Sequence, residues 1–178
     1  MDFVLKRELG NSSLNYADLI ICKNQKYLKK KINDSRGLCI VKGGDDEVNR
    51  TALEIKRTDI LLSPEFNREK DFIHFRNSGL NHVLCKLAKK NEVAIGFSFS
   101  DLMNSKNKEI VLGRMMQNVF LCRKFKVKMV LGSFALKENE VKNRSELISF
   151  GNVIGMNGKE VKDALNFRKK EGKIKILK

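Results

Sequence analysis

Short, nearly continuous apolar runs alternate with amphipathic stretches along the whole chain, and that alternation restricts the fold more than any other feature. The runs fall at residues 2–5 (DFVL), 18–22, 38–42, 59–62, 72–75 (FIHF), 93–97 and 128–132. Such runs suit strands covered on both faces. Between them, Leu80, Val83, Leu84, Leu87 and Ala88 recur at helical spacing. They predict an amphipathic helix of about three turns, with Ser78 as its N-cap. His82, Lys86 and Lys89 then project from its opposite side. A second helix is predicted over 107–125, with Leu112, Met115, Met116, Val119 and Cys122 on one face. A third covers roughly 144–151, and a fourth roughly 158–168 turns Val161, Ala164 and Leu165 inward. Strands alternating with helices give a parallel α/β sheet. With a single Pro (Pro64), no low-complexity segment and no composition break, residues 1–178 read as one domain. Periodicity leaves a compact barrel and a doubly wound sheet equally open. A barrel in this length must be a trimmed one, because the full eight-fold form needs more chain.

Charge narrows the partner. Lys plus Arg number 36 against 21 acidic residues, a net of +15. Small domains ordinarily carry a net charge of roughly 2–8 in magnitude. An excess of this size favours a polyanion, since each cation near a phosphate releases condensed counterions. Thermophilic enrichment raises Glu together with Lys, so it accounts for total charge better than for the imbalance. Cys22, Cys39, Cys85 and Cys122 form no CxxC pair and lie in or beside apolar runs. Buried thiols in a reducing compartment are expected. Asp2, Lys6, Arg7 and Glu8 interrupt any apolar leader, and no run reaches the roughly 20 residues of a membrane span, so a cytoplasmic protein is expected.

Catalytic patterns are weak. KGGDDE at 42–47 matches neither dinucleotide nor P-loop spacing and reads as a strand-to-helix turn with Asp45 as the cap. His74 and His82 are the only histidines, too few for a metal-dependent phosphoesterase. A nucleophilic triad of Ser98, His74 and Asp59 has neither supporting spacing nor a nucleophile elbow. Basic residues gather at Lys23–Lys31, Arg50–Arg57, Lys86–Lys90, Arg123–Lys128 and Arg168–Lys178. A plain reading makes these solvated helix faces. Around Arg76 and Asn77 the pattern is more specific, because Ser78 and Gly79 then open a helix. Helix N–H groups beside an Arg fork make a phosphate site, and the plain alternative, that Ser78 and Gly79 only start the helix, stays equally open. There is no Trp, Tyr is limited to Tyr16 and Tyr27, and most Phe lie in apolar runs. Recognition of a nucleic acid by shape and phosphate contact is therefore expected over reading of an unstructured single strand on aromatic platforms.

Three stretches resemble the ribonuclease P protein component 3 family, the archaeal counterpart of a thirty-kilodalton human subunit. They are VNRTALEIKRTDILLSPE at 48–65, NSGLNHVLCKLAKKNEVAIGFS at 77–98 and RSELISFGNVIGM at 144–156. The resemblance implies a trimmed (β/α) TIM-like barrel of the polymerase-and-histidinol-phosphatase type whose ancestral metal site has been lost. It implies a subunit of an RNA-catalysed endoribonuclease that removes the leader from pre-tRNA. The RNA and its magnesium ions do the chemistry, so no catalytic residue, metal site or cofactor is assigned to this chain. The implied partners are the ribonuclease P RNA, a second small protein subunit (two pairs forming a heterotetramer), the other protein subunits and pre-tRNA. Carried over motif by motif, the RNA contacts are Arg50 with Asn49, and Arg76, Asn77 and His82. Charge and helix position add Lys86, Lys90 and Arg114. The chain stands at the short end of the family's length range.

Overall fold

The computed structural model describes residues 2–4, 14–16, 18–22, 24–35, 37–66, 68, 70–135 and 137–167. Strands β1 (Asp2–Val4) and β2 (Leu14–Tyr16) pair in parallel. Strands β3 (Asp18–Ile20), β4 (Cys39–Lys42), β5 (Ile60–Leu62), β6 (Ala94–Ser98) and β7 (Met129–Gly132) form a five-stranded parallel sheet in strict chain order. Helix α1 (Gln25–Asp34) joins β3 to β4, α2 (Asp46–Glu54) joins β4 to β5, and α3 (His82–Asn91) joins β5 to β6. A short α4 (Phe99–Met103) and the long α5 (Lys108–Phe125) lie between β6 and β7. After β7 come α6 (Arg144–Val153) and α7 (Gly158–Leu165).

A doubly wound sheet reverses its strand order midway. This one does not. Every crossover steps the same way, and with right-handed connections the helices all fall on one face. Side-chain alternation agrees. Val41, Leu61, Ile95, Phe97 and Leu131 join Leu28, Ile32, Leu53, Leu84, Met115 and Leu147 in the main, helix-side core. Ile40, Ile60, Leu62, Ala94 and Val130 point the other way and meet Phe134 in a smaller second core. Gly96 lies between Ile60 and Leu62 there. A Cβ at Gly96 would sit 2.9 Å from both side chains, so the close approach of β5 and β6 needs glycine.

The expected strands appear within a residue or two of their bounds, with one exception. Residues 72–75 are an exposed turn, with the Phe72 N–H donating to the Phe75 carbonyl at 3.0 Å. The run has strand composition but no strand to pair with, because β5 pairs directly with β6. β2 was not expected. Ser78 does not cap α3. Asn81 does, its Oδ1 accepting from the Leu84 N–H at 2.9 Å, because Gly79 at φ +76° turns the chain before the helix starts. Asp45 caps α2 as expected, accepting from the Val48 N–H at 2.8 Å. On α5 the buried stripe is rotated from the expected one. Met115, Val119 and Cys122 are inside, Met116 is exposed, and Arg114 and Asn118 face inward instead. Helices α6 and α7 begin where expected, each closed by a capping box (Asn143 with Glu146, Asn157 with Glu160). Helix α7 ends at Leu165, short of the expected 168, with Asn166 as its C-cap; residues 168–178, with the last basic cluster, lie outside the described residues, as do Leu5 and Lys23. Cys39, Cys85 and Cys122 are buried and Cys22 half-buried.

Candidate nucleic-acid interface

The long connection from β5 to α3, residues 63–81, carries Arg76 and Asn77 of the expected site, and polar residues beneath it hold its shape. Asn49 of α2 is fully buried. Its Oδ1 accepts from the Gly44 N–H at 3.1 Å, and its Nδ2 donates to the carbonyls of Gly79 at 3.1 Å and Pro64 at 3.4 Å. This draws both ends of the connection together. A Cβ on Gly79 would meet the Pro64 carbonyl oxygen at 2.0 Å. Asn118 of α5 plays the same part lower down, its Nδ2 donating to the Ser78 carbonyl at 2.9 Å and to Glu65 Oε2 at 3.0 Å. Glu65 is fully buried. Burial pushes its carboxyl up to about 8, outweighing its hydrogen bonds from the backbone and Asn118.

The middle of the connection is tied by arginines. Arg114, only 4% exposed, pairs through Nε with Asp71 Oδ1 at 2.7 Å. Asp71 also accepts the Asn77 N–H at 2.8 Å. Partial burial raises the Asp71 carboxyl, but the Asn77 N–H and the Arg114 guanidinium outweigh it and hold the group below its usual range. Arg68 donates to Asn77 Oδ1 through Nε at 2.9 Å and Nη2 at 2.6 Å, to the Gly44 carbonyl at 2.9 Å and to Asp46 at 2.7 Å. Asn49, Asn77 and Arg114, all named from the sequence, are thus internal ties. Arg68, Asp71, Glu65 and Asn118 were not named. Their only signal was polarity at positions that helix periodicity or loop length left unassigned.

Of the remaining sequence-named residues only Arg76 reaches this network, through Asp71. Arg76 is half exposed. It lies 3.8 Å from Asp71, and its guanidinium rests on Gly113 of α5, where a Cβ would come within 2.4 Å of Nη1. His82, Lys86 and Lys90 are exposed at successive i, i+4 positions of α3, so they share one stripe. Arg50 is exposed on α2, which packs beside α3, and is held by Glu54 at 2.9 Å. The triad residues lie apart: Asp59 precedes β5 and accepts from the Cys39 N–H at 2.8 Å, Ser98 ends β6 and caps α4, and His74 is in the exposed turn. At the C-terminal strand ends, Asp101 already accepts from the Lys42 ammonium and from Ser63 Oγ, the latter at 2.6 Å. Among the described residues no three His, Cys, Asp or Glu side chains are grouped as metal ligands. No helix among them is long and apolar enough to cross a membrane.

Sheet, helices and loop define the class: a parallel α/β protein with singly wound strand order, presenting basic side chains on a loop and helix braced by buried Arg and Asn. The chain belongs to the RNase P subunit p30 family, whose model matches residues 15–170. Ribonuclease P protein component 3 of Methanosarcina mazei is 37% identical over 138 residues, covering 76% of this chain and 54% of that one. The same component of Methanococcus maripaludis is 32% identical over 162 residues (83% and 67%), and that of Thermococcus gammatolerans 36% over 164 (90% and 73%). The chain therefore spans little more than half the length of the Methanosarcina relative. Among solved structures, a chain in the cryo-EM structure of archaeal ribonuclease P with mature tRNA superposes with a TM-score of 0.73 and 28% identity, over 85% of this chain and 64% of that one.

Proposed function

We propose that the chain is a protein subunit of ribonuclease P and binds the RNA that removes the leader from pre-tRNA. The observation that carries this is its structural match to a chain of archaeal ribonuclease P with tRNA, at 28% identity and over 85% of its length. The +15 charge and the exposed Arg76, His82, Lys86 and Lys90 give the role its physics. Cations on a braced surface offset repulsion between RNA helices, so the catalytic RNA folds and holds substrate at lower magnesium. Magnesium belongs to the RNA in this reading, and the isolated chain is not catalytic. The singly wound strand order with helices on one face fits a trimmed TIM-like barrel descended from the polymerase-and-histidinol-phosphatase type. The partners are a second small protein subunit, in two pairs, the other ribonuclease P proteins and pre-tRNA, and the setting is the cytoplasm.

The test is pre-tRNA cleavage by the cognate catalytic RNA at low magnesium, with and without this chain plus its small partner subunit. Leader removal that needs the pair, with no cutting by protein alone, is the expected result. No effect of the pair removes the reading.

A further inference from the structure

Residues 72–75 have no strand partner, do not enter the core, and carry large apolar side chains in solvent. Phe72 is 55% exposed, Phe75 60% and Ile73 95%. The two rings stack on each other with centroids 4.5 Å apart at 30°. Exposing two aromatic rings and an Ile costs solvation free energy, which a fold retains where the surface is covered by a ligand or partner. The turn is also held at its base. Asp71, immediately before Phe72, is fixed by Arg114 and the Asn77 N–H, and Asn77 by Arg68. An exposed tip on a fixed base loses little conformational entropy on binding.

We infer that Phe72 and Phe75 form a stacking platform for an unpaired RNA base, with Arg76 holding the adjacent phosphate. Beside the rings runs an open groove of about 770 Å³, lined also by Arg76, Asn81, Gln117 and Leu121. That volume lies within the ordinary range for a small-ligand site, roughly 300–1,000 Å³. Its chemistry suits a nucleotide: aromatic faces for the base, amides for its edge, and a guanidinium for phosphate. Lys70 and His74 are exposed in the same segment. The groove's acids are already engaged, Asp46 with Arg68 and Asp45 as the α2 cap. Arg76 rests on Gly113 and lies 3.8 Å from Asp71, with its side chain 49% exposed. The flanking charge is therefore basic where the apolar surface is greatest, which favours RNA over an apolar protein surface.

The inference rests on the RNA-binding reading above, and one titration separates their failures. The probe is an RNA hairpin with a fluorescent adenine analogue in its open loop, against the same hairpin with the analogue in its stem. The full chain is expected to bind, to quench the loop analogue and to leave the stem analogue bright. Phe72→Leu with Phe75→Leu keeps apolar area but removes the π faces. It should weaken loop binding by about ten-fold and abolish quenching, with the salt slope unchanged. Phe72→Tyr with Phe75→Tyr should restore both. Undiminished quenching in the leucine variant overturns the platform while leaving the RNA reading intact. Leucine and tyrosine variants that bind RNA normally but no longer hold the small protein subunit overturn it too, making the turn a protein-docking surface. Absence of salt-dependent RNA binding by the wild-type chain removes both.

Discussion

Arg114 and Lys86 are both cations that the sequence offers for the same interface, yet they sit in opposite environments. Arg114 is 4% exposed and spends its charge on Asp71, whereas Lys86 stands in solvent on α3. The same contrast separates Asn77, clasped by Arg68, from His82 at the exposed start of α3. Beneath the β5–α3 connection, polar side chains replace secondary structure. They satisfy backbone groups that no strand or helix takes up, and so keep a long loop in one shape. On α3 the cations keep their hydration and remain available to an outside anion. A charge serves the fold where a carboxylate and backbone meet it on the inside, and serves binding where nothing does.

Substitutions that act on one region and spare the other test this contrast. The largest effect is expected from Arg114→Ala, which leaves Asp71 without its main counter-charge. A loss of about 2–4 kcal/mol should appear as a lower urea midpoint, with a direct loss of RNA affinity only secondary. An unchanged midpoint would show that the loop does not depend on this tie.

Next is Glu65. Its folded-state carboxyl is raised to about 8 from an ordinary 4.5. A raised acid favours the folded state at low pH and costs stability as pH rises from the unfolded value through the folded one. Wild-type stability should therefore fall between about pH 4.5 and 8, by on the order of 3 kcal/mol at neutral pH. Glu65→Gln should flatten that slope, and urea melts across the pH range read it directly. Retention of the full slope in the Gln variant would place its origin elsewhere.

On the exposed side, Arg76→Ala or Lys86→Ala should leave stability within about 0.5 kcal/mol. Each should instead lower the salt dependence of RNA affinity by about one unit. A salt slope that does not move takes that residue off the interface. The smallest effect is expected from Arg50→Ala. Its exposed i, i+4 pair with Glu54 is worth only about 0.3–0.5 kcal/mol, so any change in RNA binding reports contact rather than unfolding.

Alternation of apolar runs and amphipathic helices was enough to read a parallel α/β domain, because strand and helix periods are written locally in the chain. Charge pointed to a polyanion, and the motifs at 48–65, 77–98 and 144–156 pointed to the family. The helix starts at Asp45, Asn143 and Asn157 follow from side chains that bond their own next turn. What the sequence did not contain was the partner of each polar residue. FIHF has the composition of a strand, and only the direct pairing of β5 with β6 leaves it outside the sheet. Arg114 and Asn118 are polar positions on an apolar helix, and only the loop packed against α5 turns them inward. Periodicity is a property of neighbours along the chain, whereas burial of a charge depends on what meets it across 43 residues, as Asp71 meets Arg114. That meeting was decided by the tertiary structure alone.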